Sequence, residues 1–378
     1  MNWRPLAEAL AATVTHEGSR WRGPVARTPR HVFVPRWWQA NGDGWDRRTT
    51  TDETVIPSVY ADTTLVTRVG IQHADHAAPD DRPHGRPTSS STLPGLVVTM
   101  HRHAHLATDH RLLYIGTGTG YGTALATHYL DHPAQLTSVD VDPYLTEAAR
   151  ARLDRIGLSP RVETVDATGP LPVEAGSVDR IVAMVSVRTI PPSWLRALRT
   201  GGRLVTTIAG TSLLVTAEKT PDGGAIGRTE WDRAGFMAIR HGDDYPTGPE
   251  EGLLAVARTH DGESVAVGPY PVVDIGNAWD LDSMLSLTVP GLTHRYHRDG
   301  DRHTVVMAHA DGSWARATAT AGDRPTVHQS GPRRLWDLFD QIRAHWLGKG
   351  ELPVRGARLF ADGDGRTVIA RGGWHARL

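Results

Sequence analysis

The segment IGTGTGYG, residues 115–122, is where this chain is best equipped for chemistry. The apolar run LLYI (112–115) leads into it, and a helix-compatible stretch from Tyr121 to Leu130 leads out. Gly116, Gly118 and Gly120 allow a tight turn and a close approach of backbone to ligand, where a Cβ would clash. Their spacing departs from the dinucleotide pattern GxGxxG. The helix N-terminus behind them suits an anion, whether a pyrophosphate or an amino-acid carboxylate. A second run, QLTSVDVD (135–142), carries Asp140, 20 residues beyond Gly120, where a carboxylate accepts the two hydroxyls of a ribose. A third run ends at Asp166 in VDATGP, positioned to receive an adenine amino group. Glycines and two aspartates at three consecutive strand ends describe an adenosine cofactor with a carboxylate tail. S-adenosyl-L-methionine fits that better than NAD. The neighbours Thr117, Tyr121, Val141 and Ala167 join this expected cofactor site.

Other chemistry is weaker. In MHRHAHLATDH (100–110) only His101 and His105 share a face if the segment is helical, whereas a strand would align all three early histidines. An ordinary polar helix surface is expected there, and no metal site. His73, His76 and His84 fall in a Pro- and Asp-rich stretch where solvated side chains are expected. With no Cys, thiolate catalysis, thiolate zinc sites and disulfides are excluded.

The elements that must position these residues alternate. After the first two strands, Pro143 is placed to open a helix running to about Ile156. RVETVD (161–166), SVDRIVAMVSV (177–187) and RLVTTIAG (203–210) are further strands, with a helix entry at IPPSWLRALR (190–199) that Gly201 and Gly202 should end. The pattern predicts an α/β fold, a doubly wound Rossmann-like sheet whose ligands sit beyond the C-terminal strand ends. Residues 71–92 read as a polar loop and a candidate lid. Beyond residue 225 the texture changes to α+β. Hairpins are predicted around Asp311-Gly312 and Gly363–Gly365, and one helix face carries Leu335, Phe339, Ile342 and Trp346. Two domains are expected, 1–220 with an N-terminal helical and loop cap, and a smaller one at 225–378.

The 378 residues carry 41 basic and 42 acidic side chains, net −1, which argues against a nucleic-acid-wrapping protein. Only Lys219 and Lys349 are lysines. No signal peptide or membrane span is apparent, so a cytoplasmic location is expected.

At this point the chain resembles the protein-L-isoaspartate O-methyltransferase family over roughly residues 20–215. The matching segments stand in the family's order: PRHVFVP (29–35), VYADTTLVT (59–67), SSSTLP (89–94), the glycine turn, LTSVDVDP (136–143), VDATGPLP (165–172) and GGRLV (201–205). The resemblance implies a class I S-adenosyl-L-methionine-dependent methyltransferase that esterifies an aspartyl or isoaspartyl carboxylate and releases S-adenosyl-L-homocysteine. It implies that Gly116, Gly118, Asp140 and Asp166 hold the cofactor. It also implies that the hydroxyls of Ser89, Ser90, Ser91 and Thr92 face the substrate carboxylate, with Thr92 on the family's usual serine and Ser90 on its usual threonine. One departure stands out: the family's acidic residue two before the first glycine is Tyr114 here, which leaves water or Asp142 for that role.

The segment GRPTSSSTLP and the later GPRRLWDLF resemble a branch of the family found beside ATP-grasp peptide ligases, whose members modify ribosomally made macrocyclic peptides (graspetides). Related branches serve lanthipeptides and lasso peptides. In those systems Asp methylation leads to an aspartimide, and the C-terminal region would recognise the peptide partner. General isoaspartyl repair and a catalytically silent peptide-binding module are the alternatives.

Overall fold

The computed structural model describes residues 2–242 and 250–378. Its backbone is a ten-stranded sheet, and the first half has the predicted doubly wound order. Leu112–Ile115 lies in the middle, paired in parallel with Leu136–Asp140 on one side and Val178–Val187 on the other. Arg161–Thr164 and Leu198–Ile208 extend the sheet outward, also in parallel. The chain thus reverses its direction of winding at Leu112–Ile115, which opens a crevice at that strand's C-terminal end.

The helices follow from local signals. In Pro143–Arg155, Pro143 occupies the first turn and the Asp142 side chain caps the amides of Tyr144 and Leu145. That helix ends at Gly157, φ +75°, where Leu158 N–H bonds Leu153 O and Gly157 N–H bonds Asp154 O. This is the paired C-terminal closure that glycine permits. The helix expected at 190–199 spans Pro192–Ala197, and the strand begins at Leu198, ahead of the two glycines. Gly201 and Gly202 instead sit in a register shift of that strand, where a Cβ on Gly202 would lie 2.8 Å from Arg199 O.

Residues 71–92 are not one loop. Pro87–Ser91 is a strand paired antiparallel with Leu65–Val69, within a five-stranded N-terminal sheet. Its Ser and Thr content reads as loop, but backbone pairing to an apolar neighbour is indifferent to that. His101 is likewise no surface residue. The helix Pro94–His103 buries it completely, with Nδ1 donating to Val97 O at 2.7 Å and its ring stacked 4.6 Å from Trp21. Among the described residues no cluster of His, Asp or Glu could hold a metal.

The expected division at 220–225 falls in a hairpin turn inside the large sheet. Leu213–Lys219 and Ala225–Arg233 pair antiparallel, and Arg358–Ala361, Thr367–Arg371 and Trp374–Arg377 continue the same sheet. One apolar cluster runs from Leu113 and Ile181 through Leu359 and Ile369 to Trp336 and Phe339. The middle of the C-terminal region, Ser264–Ser330, contributes a separate five-stranded antiparallel sheet, with the predicted hairpin at Asp311-Gly312 between Arg302–Ala308 and Trp314–Thr320. The helix Leu335–Gly348 buries Leu335, Phe339 and Ile342 as its periodicity requires. Among the described residues no helix is long and apolar enough to cross a membrane.

Candidate functional site

The crevice at the switch point is a cavity of about 260 Å³. Its floor is the glycine turn. Gly116 and Thr117 donate their amides to Val139 O at 2.8 and 3.1 Å, tying the turn to the neighbouring strand. Gly116 has φ +85°, and a Cβ there would stand 3.0 Å from Val185 Cγ1, so the position requires glycine twice over. Asp140 rises beside it. Its Oδ2 accepts Gly118 N–H at 2.9 Å and its Oδ1 accepts Asp142 N–H at 3.1 Å. Burial pushes this carboxyl up from its ordinary value, against the pull of those two amides. Each oxygen keeps a lone pair, so the group can still receive two hydroxyls.

The hydroxyl run forms the opposite wall. Pairing Leu65 with Ser91 and Val66 with Ser90 brings residues 88–92 over the glycines. Strand alternation divides them into two sets. Ser90 and Thr92 are half-buried on one side. Ser89 and Ser91 are buried on the other, Ser89 accepting from Thr67 Oγ1 at 3.2 Å and Ser91 Oγ having no partner among the described residues. Tyr121 Oη, also in the lining, is another buried hydroxyl without a partner among the described residues. Among the cavity-lining residues, the ionised side chains are Asp140 and Arg240.

Residues 59–237 match the family model Protein-L-isoaspartate(D-aspartate) O-methyltransferase (PCMT). The chain is 33% identical over 133 residues to a protein-L-isoaspartate O-methyltransferase of Bradyrhizobium sp. (strain ORS 278), covering 34% of this chain and 60% of that one. It is 28% identical over 203 residues to the same-named protein of Aeropyrum pernix, covering 53% and 64%. The chain therefore spans under two thirds of these relatives' length. A solved protein-L-isoaspartate O-methyltransferase superposes with a TM-score of 0.53 at 17% identity, covering 98% of this chain and 99% of that one. The fold is that of the protein-L-isoaspartate O-methyltransferases.

Several of the expected residues line this cavity, and others do not. Gly116, Thr117, Gly118, Tyr121, Asp140, Val141 and Ala167 line the cavity together with Ser89–Thr92. Gly120, φ +89°, lies behind them, packed so closely that a Cβ would meet Ala149 Cβ at 3.1 Å. Asp166 is turned to the rim. Its Oδ1 accepts from Thr168 N and Oγ1 at 2.9 and 2.7 Å, and its Oδ2 lies 3.2 Å from His241 Nδ1. Partial burial acts to raise this carboxyl, but the Thr168 and His241 contacts outweigh it and hold it below its ordinary value.

Tyr114, where the resemblance leads one to expect an acid, is buried beneath the helix Tyr121–Tyr129, and burial drives its phenol well above the usual range. A Cβ on Gly122 would lie 1.9 Å from Tyr114 Oη, so the larger side chain is accommodated by a glycine in the first turn of that helix. Asp142 does not take over the missing acid's place. Its Oδ1 caps the helix, and its Oδ2 faces His73 Nε2 at 3.2 Å and Arg240 Nη2 at 3.7 Å. Burial opposes ionisation there, yet His73 and the amide donors lower its pKa to about 2. His73, expected in solvent, is thus a packed partner of this carboxylate.

Two contributors carry no sequence signal of their role. Arg30, in PRHVFVP, is fully buried and its guanidinium collects backbone carbonyls from two segments of chain, 59–63 and 91–92. It donates to Val59, Ala61 and Thr63 at 3.0, 2.8 and 2.8 Å, and to Ser91 and Thr92 at 3.4 and 3.3 Å. Its Cζ lies 5.5 Å from the Tyr121 ring centroid. Desolvation lowers its pKa to about 10, so it stays charged at neutral pH. The second is the segment 235–240, which closes a wall of the cavity. It is held by Ser186, which exchanges backbone bonds with Met237 O and Ile239 N at 2.9 and 2.8 Å. Only the tertiary fold brings that segment to Ser186.

Proposed function

We propose that this protein is an S-adenosyl-L-methionine-dependent carboxyl O-methyltransferase whose substrate is an isoaspartyl or aspartyl side chain of a polypeptide. The observation that carries the reading is the meeting of two features in one cavity: the glycine turn with Asp140, and the hydroxyl run 89–92. Bound there, the cofactor would supply an electrophilic methyl group on a sulfonium. Asp140 would hold the ribose hydroxyls, and the positive-φ glycines would admit the amino-acid portion against the backbone.

A substrate carboxylate, with an unperturbed pKa of about 3.9, is ionised at pH 7 and needs no general base. The task of the chain is to orient that anion and strip some of its water. Ser90 and Thr92, on the half-buried side of their strand, would donate to the oxygen that does not react. Neutral donors suit the step, because both charges disappear as the methyl moves. A full cation at that place would stabilise the reactants more than the transition state.

General isoaspartyl repair draws on the family match and is the reading we favour. A narrower reading, methylation of one Asp in a ribosomally made macrocyclic peptide on the way to an aspartimide, rests on GRPTSSSTLP (85–94) and GPRRLWDLF (331–339), the second of which lies outside that match. The deciding experiment incubates the protein and S-adenosyl-L-methionine with an isoaspartyl peptide and, separately, with side-chain-bridged macrocyclic peptides. Mass spectrometry should show gain of one methyl mass on the isoaspartyl peptide. Gain on a macrocycle alone, followed by loss of methanol, would favour the narrower reading. No transfer to any peptide would overturn both.

A further inference from the structure

Among the described residues, one face of the last four strands of the large sheet is exposed. In those strands, Ala225, Leu359, Ile369 and Ala376 point into the apolar core. The alternate residues point the other way and form two cross-strand rows. One row runs from Glu218, which Arg203 holds at 2.9 Å, through Ile226, Phe360 and Val368 to Arg377. The adjacent row pairs Arg228 with Arg358. Ile226 is 54% and Phe360 40% exposed, and Arg228, Arg358 and Arg377 are exposed beside them. The four strands leave a face roughly 14 Å across. On one side it is bounded by the helix Pro94–His103, which Arg203 ties to the sheet through His103 O at 2.7 Å.

Two arginines directly opposite each other on paired strands are unfavourable unless an anion lies between or above them. Arg228 has Glu230 at 3.1 Å, but Arg358 and Arg377 have no acidic partner among the described residues. An apolar row with unmatched cations at one end, Arg377, and beside it, Arg358, is complementary to a polypeptide segment whose apolar side chains have acidic ones next to them. We propose that this face docks such an acidic, amphipathic segment of the substrate polypeptide, away from the residue that is methylated. The inference rests on the reading that the substrate is a polypeptide. A second copy of this chain is disfavoured, because a two-fold contact through the face would bring together two patches carrying the same unmatched cations, Arg358 and Arg377. Nucleic acid is disfavoured because Phe360 is flanked by the aliphatic Ile226 and Val368, whereas successive bases stack on successive rings.

The test uses the full chain and a fluorescein-labelled twelve-residue peptide of Glu, Leu and Ala with helical amphipathic spacing, followed by anisotropy. The parent protein should bind it, and the double variant Arg358→Glu, Arg377→Glu should bind roughly tenfold more weakly or worse. Phe360→Ser should also weaken binding. Both variants should keep the parent's thermal midpoint and its turnover on a short isoaspartyl peptide. Equal affinity of parent and double variant, equal binding of a peptide with Lys in place of Glu, or tighter binding of a single-stranded oligonucleotide would each overturn the proposal. Loss of turnover in the parent with peptide binding intact would count against the methyltransferase reading alone.

Discussion

The backbone carbonyl of Ser90 lies 3.6 Å from the point where a Cβ on Gly118 would stand. Two segments 28 residues apart in the chain, one carrying hydroxyls and one carrying the glycine turn, are therefore in van der Waals range across the crevice. Everything proposed for the reaction depends on that approach.

Asp140 holds the glycine turn through Gly118 N–H and keeps free lone pairs toward the cavity. Replacing Asp140 by Ala should weaken binding of S-adenosyl-L-homocysteine by roughly ten- to hundredfold, the range expected for lost hydrogen bonds to a charged group. Isothermal calorimetry reads this directly. An unchanged dissociation constant would reject Asp140 as the ribose ligand.

The strand carrying residues 87–91 gives its hydroxyls unequal prospects. Thr92→Val and Ser90→Ala should each lose most turnover on an isoaspartyl peptide while cofactor binding stays within about twofold, since only the substrate's orientation is touched. Ser89→Ala, whose hydroxyl is engaged by Thr67, should affect turnover less. If Ser89→Ala proved as damaging as Thr92→Val, the division of the strand into two sides would be the wrong account.

Arg30 bridges the Val59–Thr63 segment to the carbonyls of Ser91 and Thr92. Arg30→Met leaves those buried carbonyls without donors and should cost about 3 kcal/mol of stability. Arg30→Lys retains the charge but cannot reach in two directions at once. It should fold better than Arg30→Met yet raise KM for the peptide with little change in cofactor affinity. Denaturant unfolding and steady-state kinetics, taken together, check both parts.

His101 gives the protein an acid sensitivity unrelated to catalysis. Burial lowers its pKa to about 4, against a bond from Nδ1 to Val97 O. In the unfolded chain the ring takes a proton near pH 6.5, so between about 6.5 and 4 the unfolded state binds more protons and stability falls as pH falls. The loss across that window is roughly 3 kcal/mol. His101→Phe should flatten the dependence in a series of denaturation curves. A His101→Phe profile as steep as the parent's would assign the acid sensitivity to other groups.

Much of the sheet's first half is legible in the chain because its signals are local. The helices Tyr121–Tyr129 and Pro143–Arg155 are announced by a left-handed glycine, by proline in the first turn and by Asp142 as cap, each acting within a few residues. The hairpins at Asp311-Gly312 and Gly363–Gly365 are equally local. The strand Pro87–Ser91 is not, since polar side chains hide a backbone pairing that its neighbour Leu65–Val69 supplies.

The amino-acid order alone determined the alternation of strands and helices, the glycine turn and the acids placed after it, because propensity, capping and backbone freedom act over one or two turns of chain. The tertiary structure decided what those signals could not reach. It carried Ala225–Arg233 and the last three strands into the same sheet, brought 235–240 to Ser186, and gathered five carbonyls around Arg30. Such contacts join residues tens to hundreds of positions apart, and their energy depends on the final packing of the chain.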